Sequence, residues 1–164
     1  MRILGIDPGL AIMGFGIVDV IGNKYKPVTY GVIRTKSRTP MPNRLECLYN
    51  ELTDIIEKWE PDEVAFEELF FNKNVKTAIM VAQARGVEIL ASQKYGLKTY
   101  EYTPLQVKQG LIGYGRAEKR QVQEMVKILL HLKEIPKPDD AADALAVAIT
   151  HGNGLRFKEQ FRMK

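Results

Sequence analysis

Hydrophobic and polar positions follow a short-period pattern along the first 36 residues, and turn sequences interrupt it twice. The apolar runs at residues 2–6, 13–20 and 24–35 predict three strands. The interruptions are Asp7-Pro8-Gly9 and Ile21-Gly22-Asn23, which are typical turn sequences. Because tight turns join consecutive strands, we expect an antiparallel meander.

The remainder of the chain alternates between helical and strand patterns. After the proline-rich residues 39–42, apolar residues recur at helical spacing until Pro61. Strands are predicted at 63–67 and 98–102, separated by a long helix that begins at about residue 74. Thr103-Pro104 starts a third helix, since Thr is a favoured cap and Pro a favoured first residue. A fourth helix follows the 113–115 hinge, and a fifth runs from Asp140 to about His151 with Asp139 as its cap.

The long helix from Asn74 has two open interpretations. One expects its apolar residues to pack on the chain's own sheet; these are Val75, Ile79, Ala82, Gly86, Ile89 and Leu90. The other assigns part of the same stripe, with Met80, to a partner chain.

The predicted order β-β-β-α-β-α-β-α-α-α defines the fold class. Because strands four and five each follow a helix, they should run parallel to strand one through right-handed crossovers. We therefore expect an α/β fold: a five-stranded mixed sheet, with three antiparallel strands and then parallel strands, flanked by helices on both faces. Residues 1–155 are predicted to form one domain and the basic residues 156–164 a flexible tail.

Composition narrows the class of protein. The chain has 164 residues, of which 45% are hydrophobic and 27% charged, as in a single soluble domain. Cys47 is the only cysteine, which excludes an internal disulfide and fits a reducing compartment. No apolar run approaches the roughly 18 residues of a membrane span, and Asp7 interrupts the N-terminal run too early for a signal peptide. We expect a cytoplasmic protein without membrane contact.

Carboxylates stand where strands and a helix are expected to meet. Asp7 ends the first strand, and Glu67, followed by Glu68, ends the fourth. Open α/β sheets bind their ligands at the carboxyl ends of strands, so neighbouring first and fourth strands would bring Asp7 and Glu67 together. Asp140 and Asp143 share one face of the last helix, and the alanines around them allow close approach to the sheet.

Each acidic residue also has an ordinary interpretation. Asp7 fits a common turn, Glu67 with Glu68 fits a solvated surface pair, and Asp140 suits the positive end of a helix. Asp143, one turn further in among alanines, fits that last explanation poorly.

A cluster of these carboxylates predicts a metal site. Like charges resist ionisation together, and a divalent cation relieves the repulsion. Oxygen ligands without His or Cys favour Mg²⁺, or Mn²⁺ in its place, and neither His131 nor His151 has a zinc-site spacing. Two such ions in one site catalyse the attack of water on a phosphodiester.

Basic and aromatic residues suggest a nucleic-acid partner. Four basic residues flank the 113–115 hinge: Lys108, Arg116, Lys119 and Arg120. Together they predict a rim for phosphates, although a solvated helix face is the more common explanation for any single one of them. Phe70 and Phe71 lie in a polar segment after Glu67, where one aromatic ring either stacks on an unpaired base or plugs the loop.

Several segments together resemble the RuvC-type Holliday junction resolvases of the ribonuclease H-like superfamily. The matching segments are Ile6-Asp7-Pro8-Gly9, Phe66-Glu67, Gln83-Ala84-Arg85-Gly86-Val87, Gln106-Val107-Lys108-Gln109, Ala117-Glu118-Lys119 and Asp140-Ala141-Ala142-Asp143-Ala144-Leu145-Ala146. Their order spans nearly the whole chain. The resemblance implies a Mg²⁺-dependent endonuclease that cuts four-way DNA junctions by paired nicks in recombination and repair.

The resemblance also implies roles for individual residues and partners. Asp7, Glu67, Asp140 and Asp143 would be the catalytic and metal-binding tetrad, with two ions per site. Phe70 would stack on a base, and Lys108 and Lys119 would lie near the scissile phosphate. A homodimer matches the two-fold symmetry of a junction, and the family implies a branch-migration motor complex as a further partner.

Three other functions compete with this interpretation. An actin-like or sugar-kinase ATPase shares the opening Asp-x-Gly turn but needs a second half that 164 residues do not provide. A binding protein without catalysis would not need all four acidic positions filled. A nuclease of the same fold that cuts RNA differs only in its substrate. The net charge of +4 is then the near-cancellation of an acidic centre and a basic rim.

Overall fold

In the computed structural model, which describes residues 1–69 and 75–164, strands and helices follow the predicted order. The strands are β1 (Arg2–Asp7), β2 (Ile12–Ile21), β3 (Lys24–Arg34), β4 (Glu63–Glu67) and β5 (Lys98–Tyr102). The helices are α1 (Met41–Trp59), α2 (Val75–Lys94), α3 (Pro104–Ile112), α4 (Lys119–Leu129) and α5 (Asp139–Asn153), followed by a 3₁₀ helix at Lys158–Phe161. Within those described ranges, no helix is both long enough and apolar enough to cross a bilayer.

The sheet confirms the predicted α/β fold class. Its strand order is β3-β2-β1-β4-β5. β1 pairs antiparallel with β2, and β2 with β3, whereas β1 pairs parallel with β4, and β4 with β5. Ile6 lies opposite Phe66 in the parallel pair, so the next residues along, Asp7 and Glu67, end their strands side by side.

Each face of the sheet carries its own core. On one face, Leu4, Ile6 and Phe66 pack with residues of α1 and α2. On the other, Ile3 and Ala65 pack with residues of α3, α4 and α5. Because side chains alternate between the faces of a strand, Asp7 and Glu67 fall on the face that α5 covers.

Glycines let α5 lie against the sheet backbone. A Cβ atom built on Gly5 would come within 2.1 Å of the Ala144 carbonyl oxygen, and one on Gly14 within 2.0 Å of the Asp140 carbonyl oxygen. The helix itself contributes small residues at this contact, and Ala141, Ala144 and Ala148 are buried. The first turns of α5 therefore rest directly on the ends of β1 and β2.

The start of α5 differs from the prediction. The helix begins at Asp139, and Pro138 occupies the capping position without a side-chain hydrogen bond. Asp139 instead pairs with Lys137 at 3.2 Å and with Lys119 at 3.6 Å. The expectation that Asp139 caps the helix is wrong, because Asp139 is already the first residue of α5 and its carboxylate lies beside the two lysines.

The buried face of α2 also differs from the expectation that it carries the apolar stripe. The buried residues are Ala84, Glu88, Ala91 and Ser92. Val75, Ile79 and Leu90 are 73%, 57% and 53% exposed, and Ala82 and Gly86 are exposed as well; Ile89 alone of the six expected residues is partly buried against the core. Small residues bring α2 close to the rest of the chain, so the long apolar side chains point outward.

The C-terminal segment packs on the domain, in contrast to the flexible tail expected from its composition. Phe161 stacks on Tyr102 with ring centroids 4.7 Å apart, and the Met163 amide donates to the Thr99 carbonyl at 3.0 Å. Lys158 Nζ lies 2.5 Å from Glu63 Oε1, and the Glu63 side chain is only 6% exposed. A buried carboxylate requires a partner, and the tail supplies one.

Candidate active site

The acidic residues predicted from the sequence come together at one edge of the sheet. Asp7 and Glu67 end two adjacent parallel strands, and their carboxyl groups are close enough to hydrogen-bond. Asp140 and Asp143 enter from the first turns of α5, which Gly14 allows to rest on β2 beside Asp7. The fold therefore brings together Asp7, Glu67 and the two α5 aspartates, although these three parts of the chain are 60 or more residues apart in sequence.

The pKa values show that these groups share one electrostatic field. Burial raises the pKa of Asp7 to about 8, assisted by the charges of Glu67, Asp143 and Asp140. Burial, followed by the charge of Asp143, raises the pKa of Glu67 to about 7, although its hydrogen bond with Asp7 and the nearby lysines oppose the shift. Burial also raises the pKa of Asp143. The positive charge near these carboxylates is therefore too small to offset their burial and mutual repulsion.

Two lysines face the carboxylates. Lys119 Nζ lies 2.9 Å from Asp143 Oδ2, and Lys108 lines the same cavity of about 200 Å³. The cavity is bounded by Glu67, Pro104, Val107, Lys108, Lys119, Val122, Asp143 and Ala146. Its lining combines apolar residues with two carboxylates and two ammonium groups, a composition suited to a phosphate beside a cation.

Helix starts fix the positions of both lysines. Thr103 Oγ1 accepts the Gln106 amide at 3.1 Å while Gln106 Oε1 accepts the Thr103 amide at 2.8 Å, so α3 begins immediately after β5. Lys108 follows one turn later. Lys119 is the first residue of α4, whose preceding residue Glu118 is held by a 2.8 Å hydrogen bond from its amide to Gln121.

The donor set fits a hard divalent cation. Its ligands would be carboxylate oxygens that are buried, mutually repelling and held on rigid elements. Within residues 1–69 and 75–164, the carboxylates are near one another, but no three acidic, histidine or cysteine side chains are yet spaced to hold a single metal ion. Lys119 instead supplies the positive charge nearest to Asp143, so a bound cation would share or take over that role.

The other predicted residues lie at different distances from this centre. Glu68 lines a separate cavity with Leu69, Ala82, Arg85 and Glu101, so the two adjacent glutamates face different surroundings. Arg116 and Arg120 are exposed, and Arg120 borders a groove along α4. Phe70 lies outside the described residues.

The sequence analysis did not predict two buried polar groups. At the far end of β4, His151 bonds to Tyr102 through Nδ1 at 2.7 Å and to Glu63 through Nε2 at 2.9 Å, and burial lowers the pKa of the imidazole. On α2, burial raises the pKa of Glu88 to about 8. Neither residue belongs to an acidic cluster in the sequence. The one local indication was Glu88, a charged residue that interrupts the apolar and small residues of its helix face.

Sheet order and overall structure define the class: this is a ribonuclease H-like α/β protein, with a cluster of carboxylates at one edge of its sheet. The chain belongs to the family described as crossover junction endodeoxyribonuclease RuvC, whose family model matches residues 3–151. The predicted resemblance is confirmed, and with it membership of an endonuclease family.

Individual relatives match over the full length. The crossover junction endodeoxyribonuclease RuvC of Finegoldia magna is 60% identical over 164 residues, covering 100% of both chains. The Thermus thermophilus RuvC structure is 36% identical with a TM-score of 0.90, covering 99% of this chain and 98% of that one. The T. thermophilus RuvC structure in complex with Holliday junction substrate is 34% identical with a TM-score of 0.91, covering 99% of both.

Proposed function

We propose that this protein resolves four-way (Holliday) DNA junctions by metal-dependent hydrolysis, making two symmetric nicks during recombination and repair. The observation that carries the proposal is the convergence of Asp7, Glu67 and Asp143 beside Lys108 and Lys119 at one sheet edge. A full-length structural relative is described in complex with Holliday junction substrate, which supports this choice of DNA.

The four carboxylates hold the cations in this proposal. Asp7, Glu67, Asp140 and Asp143 bind two Mg²⁺ ions, for which Mn²⁺ can substitute. When bound, these ions supply activation of water and stabilisation of the leaving oxygen in phosphodiester hydrolysis. The protein contributes rigidity: Asp7 and Glu67 are fixed by the parallel strands, and Asp143 by the helix that rests on them.

Basic and aromatic residues bind the DNA. Asp143 would hold a cation whose charge would neutralise the carboxylate that Lys119 now contacts, and the Lys119 ammonium would then bind the scissile phosphate. Lys108, which lines the same cavity, binds the same phosphate. Arg116 and Arg120 contact flanking phosphates, and Phe70 stacks on an unpaired base at the junction centre.

The working unit is a homodimer. A four-way junction has approximate two-fold symmetry, and two symmetric nicks require two equivalent sites. The exposed apolar side chains of Val75, Ile79 and Leu90 on α2 offer a surface for the second chain. The dimer acts in the cytoplasm together with a branch-migration motor complex.

A junction-cleavage assay tests the function. Synthetic four-way junctions with Mg²⁺ should be nicked symmetrically, whereas linear duplex and duplex RNA should remain intact. Asp7→Asn should abolish cutting and keep junction binding, because it removes a metal ligand and leaves the lysines in place. Glu68→Gln is the matched control, since Glu68 faces another cavity, and it should cut normally.

Two results would count against the proposal. Equal cleavage of duplex and junction would contradict junction resolution, and cleavage of RNA in preference to DNA would favour a different nuclease. If Asp7→Asn loses junction binding as completely as cutting, Asp7 is a structural residue.

A further inference from the structure

Glu88 is an acidic side chain buried in the middle of α2. It is 0% exposed, on the helix face otherwise occupied by Ala84, Ala91 and Ser92. Neither of its carboxyl oxygens has a described hydrogen-bond partner at normal geometry. Burying an unsatisfied carboxyl group costs free energy, so a chain that keeps one at this position calls for an explanation.

The group that faces this carboxyl is the backbone amide of Gly9. Burial and the nearby charge of Asp7 raise the pKa of Glu88, and hydrogen bonding from the Gly9 N–H opposes them, although this contact falls outside ordinary hydrogen-bond distance and angle limits. Arg85, one turn earlier on α2, is directed to Glu101 at 2.7 Å instead. Glu88 thus lies beside the turn that begins directly after Asp7.

That turn is fixed from its other side by the end of β3. Thr35 Oγ1 donates to the Leu10 carbonyl at 2.5 Å, and the Thr35 amide donates to the Ala11 carbonyl at 3.1 Å. Gly9 itself packs so closely that an added Cβ would lie 1.9 Å from the Ile12 carbonyl oxygen. The turn has little freedom at residues 10–12, and Glu88 lies near its first part at Gly9.

We propose that Glu88 is a positioning residue: its carboxyl oxygen accepts the Gly9 amide, holds the turn behind Asp7, and so orients the Asp7 carboxylate for a divalent cation. This inference rests on the proposed function, because it assigns Asp7 to metal binding. Groups that orient a metal ligand from behind typically contribute 10–100-fold in metal affinity.

Two substitutions separate positioning from simple packing. Glu88→Leu fills the space and removes the buried carboxyl, so the metal-free protein should melt at the same or a higher temperature. The same variant should bind Mn²⁺ about tenfold more weakly, within the range expected for outer groups. Glu88→Gln keeps a carbonyl oxygen for the Gly9 amide and should bind Mn²⁺ within about threefold of wild type.

The experiment measures Mn²⁺ binding to the full chain by the loss of the free-ion electron paramagnetic resonance signal, with melting temperatures recorded in chelator. Ser92→Ala is the matched control, because Ser92 is buried one turn away and donates to the Glu88 backbone carbonyl at 3.0 Å. Ser92→Ala should leave Mn²⁺ affinity unchanged and alter only the melting temperature.

The outcomes divide cleanly. If Glu88→Leu binds Mn²⁺ like wild type while Asp7→Asn does not, Glu88 only fills space and the inference is overturned. If Glu88→Gln loses as much affinity as Glu88→Leu, the charge and not the hydrogen bond acts, which also overturns it. If Asp7→Asn leaves Mn²⁺ binding unchanged, the proposed metal site itself fails, and Glu88 has no ligand to position.

Discussion

Replacing Gly14 by alanine should damage the site without touching any acidic side chain. Gly14 is the β2 partner of Asp7, and it lies beneath the first turn of α5. Its added Cβ would lie 2.0 Å from the Asp140 carbonyl oxygen and 3.2 Å from the Asp140 Cβ. Because Cβ atoms essentially never approach another heavy atom closer than 3.0 Å, α5 must move by about 1 Å.

The expected size of the effect follows from that displacement. Overpacking of this kind costs about 1–3 kcal/mol, which lowers the melting temperature of a domain of this size by roughly 2–12 °C. A misplacement of about 1 Å in catalytic groups costs on the order of 100-fold in rate. Gly14→Ala should therefore remain folded at moderate temperature and cut junctions about 100-fold more slowly.

The assay compares melting temperature and Mg²⁺-dependent junction cleavage with those of Gly31→Ala. Gly31 lies on β3, and its added Cβ would meet only the Phe15 ring, at 3.2 Å, which can shift slightly. The control should melt and cut nearly as wild type. If Gly14→Ala keeps its melting temperature and full activity, the close approach of α5 to β2 does not depend on glycine at position 14, and the reasoning is refuted.

Two further predictions concern pH and the C-terminal segment. Since the folded pKa values of Asp7 and Glu67 are raised to about 8 and about 7, the stability they contribute is present in acid and lost as pH rises through this range. The melting temperature measured in chelator should thus fall as pH rises from 5 to 9, and Asp7→Asn should weaken this dependence on pH. A melting temperature that rises with pH would contradict these pKa shifts. Lys158→Met should destabilise the protein by about 1–3 kcal/mol in urea unfolding, because among the described residues it leaves the buried Glu63 carboxylate only its contacts with His151 and Tyr100, while Lys158→Arg restores stability and both cut normally.

The sequence predicts the parts of this molecule that depend on local pattern. Strand alternation and Thr103-Pro104 give the element order, and the parallel strand ends bring Asp7 and Glu67 together. These inferences succeed because a strand's two-residue period and a helix start are encoded by adjacent residues. The carboxylate roles remain predictions.

Other features depend on contacts that no local pattern encodes. The Lys158–Glu63 pair joins residues 95 positions apart, so composition alone suggested a free tail. On α2 the charged Glu88 is buried and the apolar Ile79 is exposed, which is the opposite of what their polarity predicts. Close packing of this helix favours small buried neighbours over long apolar side chains. The Asp139 carboxylate pairs with two lysines and does not cap α5, and one of these lysines, Lys119, is twenty residues away in the chain.

The packed C-terminal segment has a consequence for how two copies of this chain can meet. β5 is an outer strand, and outer strands expose unpaired backbone groups that recruit further strands and lead to aggregation. Met163 and the bridge between Tyr100 and Arg162 occupy that row of groups. The opposite outer strand, β3, carries Lys24, Lys26 and Pro27, which disfavour strand addition. Sheet extension is thus discouraged on both sides, which leaves helical surfaces such as the exposed side of α2 as the places where the proposed dimer could form.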